Sequence, residues 1–504
     1  MNTVRSRADA AFLIRDGDVP GENIIILEAA SLLGGSLDGA GDAERGYSLR
    51  GGRMLTTDNY ECTWDLFRTI PSATDADKSV YDETIAFNAK YKAHSSARLV
   101  DKRRARVPVG SMGFSMHDRM ELLTLTNASE DDLGAGRITD WLSPKFFETE
   151  FWYMWVTTFA FQPWHSAVEF KRYLHRFMME FTRIETLAGV KRTVYNQYDS
   201  LVVPLQRWLA AKGVRLVADC RVTDIDHTIE HGQFVVTAIH AVRAGQEQTT
   251  VVNAGDFVFF QNGSMTDASS LGSMTEAPRK LTKVDSGGWV LWEKLARGRT
   301  DFGNPAAFNT CIAQSCWESF TVTLKHSAFF DQMQQFSGNE AGTGGLVSFK
   351  DSNWLMSIVL AHQLHFANQP GNVQVFWGYA LFPDRVGDFV PKAMADCTGP
   401  GAAGLEESRL HQPVRRDRER RRFHRGVFRA SGADGRLSTV GHHSHYSANH
   451  RTRQIFADPV RRADQIVPMT YWHGGSVVRF DRRRADSIRR CQLVVHLRLR
   501  HHQS

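Results

Sequence analysis

Tyr47-Ser-Leu-Arg50-Gly51-Gly52-Arg53-Met54 is the stretch on which the reading of this chain turns. It follows an apolar run, Asn23-Ile-Ile-Ile-Leu-Glu28, and a glycine-rich loop, Gly34-Gly35-Ser36-Leu37-Asp38-Gly39. A buried strand that ends in a carboxylate and passes into glycines is how the second strand of a dinucleotide-binding unit ends, because the carboxylate at the tip accepts hydrogen bonds from a ribose diol. Glu28 takes that place, and the plain alternative is a surface turn after an ordinary strand. Glycines after it, lacking a Cβ, let backbone approach a cofactor closely.

In such a unit a Gly-x-Gly-x-x-Gly loop joins the first strand to the first helix, so that the helix N-terminus faces the pyrophosphate. Here the chain opens with Met1-Asn-Thr-Val-Arg-Ser-Arg-Ala-Asp-Ala-Ala-Phe-Leu-Ile-Arg-Asp16-Gly17, which reads as the back half of that helix with no strand or glycine loop before it. The expectation is a start inside a longer ancestral frame, with an incomplete cofactor cradle and weak cofactor retention.

At 504 residues the chain is long enough for two or three domains. No apolar run approaches the roughly 20 residues needed to cross a bilayer, so a cytoplasmic protein is expected. The six cysteines are scattered without Cys-x-x-Cys spacing, which argues for reduced, packed thiols and no metal site. The net charge of +6 is unevenly placed. Residues 400–504 hold 22 Arg, no Lys and nine Asp or Glu, a net +13, which leaves −7 for the rest.

That tail has almost no sustained periodicity and contains runs such as Arg415-Arg-Asp-Arg-Glu-Arg-Arg-Arg422. A nucleic-acid-binding arm would want interleaved aromatics or a folded module, and His442-His443-Ser-His445 has no cysteine partner at zinc spacing. A disordered basic extension would be poorer in apolar residues than Leu493-Val-Val-His-Leu497. Arginine without lysine is what out-of-frame reading of GC-rich DNA gives, and a frameshift product is the reading preferred, with no nucleic-acid partner.

Between Asp140 and Phe181 the chain is unusually aromatic, and Ala167, Val168, Phe170, Leu174, Phe177, Met178 and Phe181 recur at helical spacing. A helical core explains most of them, although a pocket for a long apolar ligand would use the same residue types. Asp199 to Lys212 predicts an amphipathic helix, Gly213 to Ala218 a strand, and Asp256 to Phe260 a return strand ending at Gln261-Asn262-Gly263. Helix, strand, short antiparallel insertion and return strand make up the second half of a two-dinucleotide-type fold.

With these residues in view, the chain resembles the oleate hydratases, also called myosin-cross-reactive antigens, which are FAD-containing fatty acid hydratases. The matching stretches include Phe12-Leu-Ile-Arg-Asp-Gly17, Gly34 to Gly39, Arg50-Gly-Gly-Arg53, Asn59-Tyr-Glu-Cys-Thr-Trp-Asp-Leu-Phe67, Phe159-Ala-Phe-Gln-Pro-Trp-His-Ser166, Lys171-Arg-Tyr-Leu174, Tyr195-Asn-Gln-Tyr198, Asn262-Gly-Ser264, Phe302-Gly-Asn-Pro305 and Trp354-Leu-Met-Ser357. They span Ala11 to about Gly399, where the resemblance stops and the Arg-rich sequence begins.

The resemblance implies addition of water across an isolated cis double bond of an unsaturated free fatty acid, of the oleate to 10-hydroxystearate type, by a hydro-lyase. An unactivated alkene requires a proton donor at one carbon and an oriented water at the other. In the family the donor is the tyrosine of Lys-Arg-Tyr, matched by Tyr173, which otherwise reads as a helix tyrosine with a surface hydroxyl. The water-activating glutamate falls at Met54, which has no proton to exchange; Thr56, Thr57, Asp58 and Glu61 lie near it in sequence. Gln197 matches the family's substrate-binding glutamine. Of a threonine, an asparagine and a histidine that hold the carboxylate, only His365 is kept, with Val359 and Ala361 at the other two places and His362 nearby.

FAD would sit beside Glu28, Gly35, Ser36, Arg50, Gly51, Gly52, Arg53, Val222 and Asn262. The expected fold is α/β, a two-dinucleotide-binding, incomplete Rossmann-like flavoprotein with a largely helical fatty-acid-binding domain. Its segments are 1–71 (partial FAD-binding), 72–194 (helical substrate domain), 195–272 (second FAD-binding), 273–399 (substrate domain) and 400–504 (anomalous tail, not natively folded). Peripheral membrane contact fits such a substrate. Two other readings stay open: a non-catalytic or unstable fragment, and a redox flavoenzyme acting on a lipid or amine.

Overall fold

In the computed structural model the described residues are 2–50, 53–231, 233–261, 268–299, 302–306, 312–343, 345–402, 436–443 and 496–497. The apolar run after Asn23 forms β1, Ile24–Leu27, with Ile24 and Ile26 buried and their neighbours less so, the alternation a half-covered strand demands. It pairs in parallel with β5, Arg215–Val217. A helix precedes each, Asn2–Gly17 before β1 and Val203–Ala211 before β5, and the two helices pack together. This is the helix-strand arrangement expected around Glu28. The backbone of Glu28 prolongs the pairing, its N–H donating to Val217 O at 2.9 Å and its carbonyl accepting from Cys220 N at 2.9 Å.

The insertion is a three-stranded antiparallel meander of β6 (Cys220–Glu230), β7 (Gln233–Arg243) and β8 (Gln246–Val251). The return strand, β9, is shorter than its apolar run, Phe257–Val258. A hairpin of β2 (Gly39–Asp42) and β3 (Gly46–Leu49) leads into Arg50.

The aromatic region is helical as its spacing predicts. Thr149 caps the helix Glu150–Phe159 by accepting from Trp152 N, and Ser166 caps Ala167–Arg176 by accepting from Glu169 N. Beyond residue 273 the architecture departs from a helical substrate region. A seven-stranded sheet runs in the order β10 (Ser269–Gly272), β15 (Arg436–His443), β11 (Cys316–Leu324), β14 (Gln374–Ala380), β13 (Met356–Val359), β12 (Leu346–Phe349) and β4 (Leu99–Val100). Its two faces divide the core by the strand period of two. On β14 Trp377 and Tyr379 face the helices, whereas Phe376 and Ala380 join a second apolar cluster behind.

Residues 400–504 are expected from the sequence to stand outside the native fold, and two of their segments are strands. β15 pairs antiparallel with both β10 and β11, and β16 (His496–Leu497) lies antiparallel between β1 and β9. A strand edge offers a row of unpaired N–H and C=O groups that accepts an extended segment almost regardless of its side chains. The other residues of 403–504 lie outside the described residues.

Candidate functional site

Between the helical layer and the seven-stranded sheet lies a mostly apolar cavity of about 240 Å³. Its lining brings together residues far apart in sequence: Arg53 to Thr56 and Tyr60 from the loop after β3, Thr157 to Ala160 from the end of a helix, Phe177 and Glu180 from the turn after the next, Arg192, Thr193 and Tyr195 to Gln197, and Trp317, Trp377 and Tyr379 from the sheet. Val359, Ala361, His362 and His365 close it. Three of the four substrate and reaction candidates, Met54, Gln197 and His365, therefore share one wall.

The fourth, Tyr173, stands behind that wall. It is buried, so the surface-hydroxyl reading fails, and its ring packs edge-on to Phe159 at 5.6 Å and against Phe177 at 5.8 Å, both of which line the cavity.

Of the four polar residues near Met54 in sequence, only Thr56 reaches the lining. Glu61 is exposed, and Asp58 points outward to an ion pair with Arg183. Arg183 also holds Glu180, Nη2 to Oε1 at 2.7 Å and Nε to Oε2 at 3.1 Å, and Glu180 is buried and lines the cavity. A carboxylate thus reaches the lining from another element than the loop of Met54. Its distance in sequence from the Arg-Gly-Gly-Arg loop hid it.

Gln197 is more occupied than the resemblance implied. Its Oε1 accepts from Arg53 N at 2.8 Å and its Nε2 donates to Arg53 O at 2.6 Å, so the amide staples the loop that carries Met54. A second tie is Lys191 N donating to Leu55 O at 2.7 Å. β13 ends at Val359, so Leu360 to His365 form a loop. Burial, helped by His362, pushes His365 down to about 4; burial, with the charges of Arg192 and Lys90, also lowers His362. Both imidazoles are neutral at neutral pH.

The second cluster surrounds Glu28. Its Oε1 accepts from Ala30 N at 3.0 Å, and Gly35 adopts φ +57°, a conformation that favours glycine. Ser36 is buried, and Arg50 pairs with Asp38 at 3.3 Å and donates to Ser269 Oγ. Val222 lies two residues past Cys220, at the same strand tip. Gly51, Gly52 and Asn262 lie outside the described residues. Burial and the nearby Glu28 lift Asp38 to about 6 against the pull of Arg50.

Sequence reading missed Arg7, which resembles any other helix arginine. It is fully buried, and none of its guanidinium nitrogens has a hydrogen-bond partner among the described residues. Burial pulls it down to about 10, against the charges of Glu28, Tyr198 and Asp38. Such a cation suits an anionic group arriving at the Glu28 tip.

The class is thus an α/β protein in which a parallel helix-strand unit of dinucleotide-binding type adjoins a mostly apolar cavity with polar groups in its lining. The chain belongs to the MCRA family, whose model matches residues 3–418, beyond Gly399 where the sequence resemblance was expected to stop. An oleate hydratase of Streptococcus pyogenes serotype M49 (strain NZ131) is 37% identical over 398 residues, 78% of this chain and 67% of that protein. A linoleate hydratase of Lactiplantibacillus plantarum is 34% identical over 428 residues, covering 78% and 74%. Among solved structures, an oxidoreductase from Methanosarcina mazei has a TM-score of 0.42 at 9% identity, covering 88% of this chain and 87% of its own. A putrescine oxidase has 0.38 at 10%, covering 74% and 72%. Neither structural likeness is close enough to carry an argument.

Proposed function

We propose that this chain is a fatty acid hydratase, a hydro-lyase adding water across a cis double bond of an unsaturated free fatty acid to give a hydroxy fatty acid. The observation that carries the reading is the convergence of Met54, Gln197 and His365 on one apolar cavity with Tyr173 against its wall. Family membership and two hydratase relatives support it.

In this reading the Tyr173 O–H proton goes to one alkene carbon while a water oxygen bonds the other. The water's proton passes to an acceptor and finally restores the tyrosine, so no electron acceptor enters the balance. Thr56 and Glu180 are the groups placed to orient that water in the absence of a carboxylate at Met54. Gln197 holds the loop in register.

FAD is the cofactor that the Glu28 cluster suits. Glu28 fits a ribose diol, Gly35 a close backbone approach, and the Arg7 guanidinium a pyrophosphate, with Ser36, Arg50, Arg53 and Val222 completing the surround among the described residues. Since hydration changes no oxidation state, a bound flavin would supply a rigid, charged wall rather than hydride transfer. The enzyme is read as cytoplasmic, meeting its lipid through peripheral membrane contact.

The test is anaerobic incubation of the purified chain with oleic acid and no electron acceptor. Accumulation of a hydroxy fatty acid supports the reading. Product formation that begins only when an acceptor is added would favour a redox flavoenzyme instead.

A further inference from the structure

Arg192 is the one arginine of the cavity lining whose position answers a specific loss. Val359 and Ala361 stand where the family pattern has a hydroxyl and an amide for the substrate carboxylate, and both line the cavity together with Arg192 and His362. We infer that the Arg192 guanidinium, with His362 beside it, holds the fatty acid carboxylate at the polar end of the cavity. This rests on the fatty-acid reading above.

The backbone of Arg192 is fixed from both sides by one side chain. Its N–H donates to Asn88 Oδ1 at 2.9 Å, and Asn88 Nδ2 donates to its carbonyl at 2.7 Å. The side chain itself makes one hydrogen bond, Nη2 to Tyr91 O at 2.8 Å, which uses one of a guanidinium's five N–H groups. Among the described residues no carboxylate pairs with it, and Nε is buried without a partner.

The other charges of the lining are differently placed. Glu180 is taken by Arg183 and Asp38 by Arg50, so neither carboxylate is left to neutralise Arg192. A cation beside an apolar cavity with no counter-ion is costly, and an entering carboxylate offsets that cost while matching the guanidinium fork. His362 is held against Tyr91 at 4.4 Å and Phe87 at 5.0 Å between ring centroids. Being neutral, it adds a hydrogen bond rather than a second charge.

The experiment compares binding of oleic acid and oleyl alcohol, which share a chain and differ in the charged head, by displacement of fluorescent cis-parinaric acid from the full-length protein. Arg192→Met keeps the aliphatic stem, and Arg192→Lys keeps the charge without the fork. Oleic acid affinity should fall roughly ten- to hundredfold in Arg192→Met and less in Arg192→Lys, the range expected when one charged hydrogen-bonding group is removed. Oleyl alcohol affinity should move less than about twofold, which also reports that the variant cavity is intact. Equal loss for both ligands, or no loss for oleic acid, overturns the assignment to Arg192. If the wild type binds neither ligand, the fatty-acid reading itself fails, a result separable from the other two.

Discussion

Position 54 carries a thioether, and the same cavity lining includes the carboxylate of Glu180, which we propose as the group that orients water. A pair of substitutions tests that role. Glu180→Gln removes the acceptor and its hold on Arg183, and should lower kcat for hydration by about tenfold or more. Adding Met54→Glu to that variant should restore part of the loss, because the new carboxylate enters the same lining. Failure of the second change to restore anything, with normal folding by circular dichroism, would separate the two positions. For Tyr173 the expectation is sharper. Tyr173→Phe keeps the ring packing against Phe159 and Phe177 and deletes only the hydroxyl, so hydroxy fatty acid formation should fall by the ~10²- to 10⁴-fold that general acid catalysis supplies. Turnover within a factor of two of wild type would remove Tyr173 from the reaction. Tyr173 and Met54 could be singled out in the sequence because each sits inside a short motif. Glu180, Arg192 and Arg7 were not, since their meaning comes from burial and missing partners, which no local pattern records.

At the scale of elements, two features lead to stability predictions. The Gln197 staple is two hydrogen bonds to the backbone of one residue, so Gln197→Leu should loosen the loop after β3 by about 1–3 kcal/mol. Hydrogen exchange of the Arg53 and Lys191 amides would speed up, whereas exchange in β14 would not. On β11 the strand period turns Glu318 away from the cavity and toward the apolar cluster that holds Phe320 and Val322. Burial, with Asp396 adding to it, pushes Glu318 up to about 8. A glutamate whose folded pKa is raised binds more protons when folded, so stability falls as pH rises from about 4.5 to 8 and is level above that. Glu318→Gln removes this loss. Its advantage over wild type in urea denaturation should be near zero at pH 4.5 and on the order of 2–4 kcal/mol above pH 8. An advantage independent of pH would show that Glu318 does not titrate in this window. β1, β5 and the meander were legible because period and turn chemistry act locally. The seven-stranded sheet was not, because its neighbours β4, β11 and β15 are joined by long-range pairing that leaves no local mark.

For the whole molecule, the arrangement is a nucleotide-type corner around Glu28 set against a cavity roofed by helices and floored by the sheet. Arg7 belongs to the corner, and its buried guanidinium, without a hydrogen-bond partner among the described residues, predicts dependence on an anion. Arg7→Met should lower the flavin that co-purifies, read as absorbance near the flavin bands relative to protein. Unchanged flavin content would detach Arg7 from any cofactor. Charge is also a property of this scale. The excess of arginine after residue 400 makes the chain basic, although the body that builds the cavity is acidic. The most direct measurement of the central claim is mass spectrometry of the product formed from oleic acid in water labelled with heavy oxygen. The account predicts a hydroxy fatty acid heavier than oleic acid by one labelled water, with the label in the hydroxyl. A product that has lost hydrogen, or one whose oxygen comes from dioxygen and not from water, would contradict it.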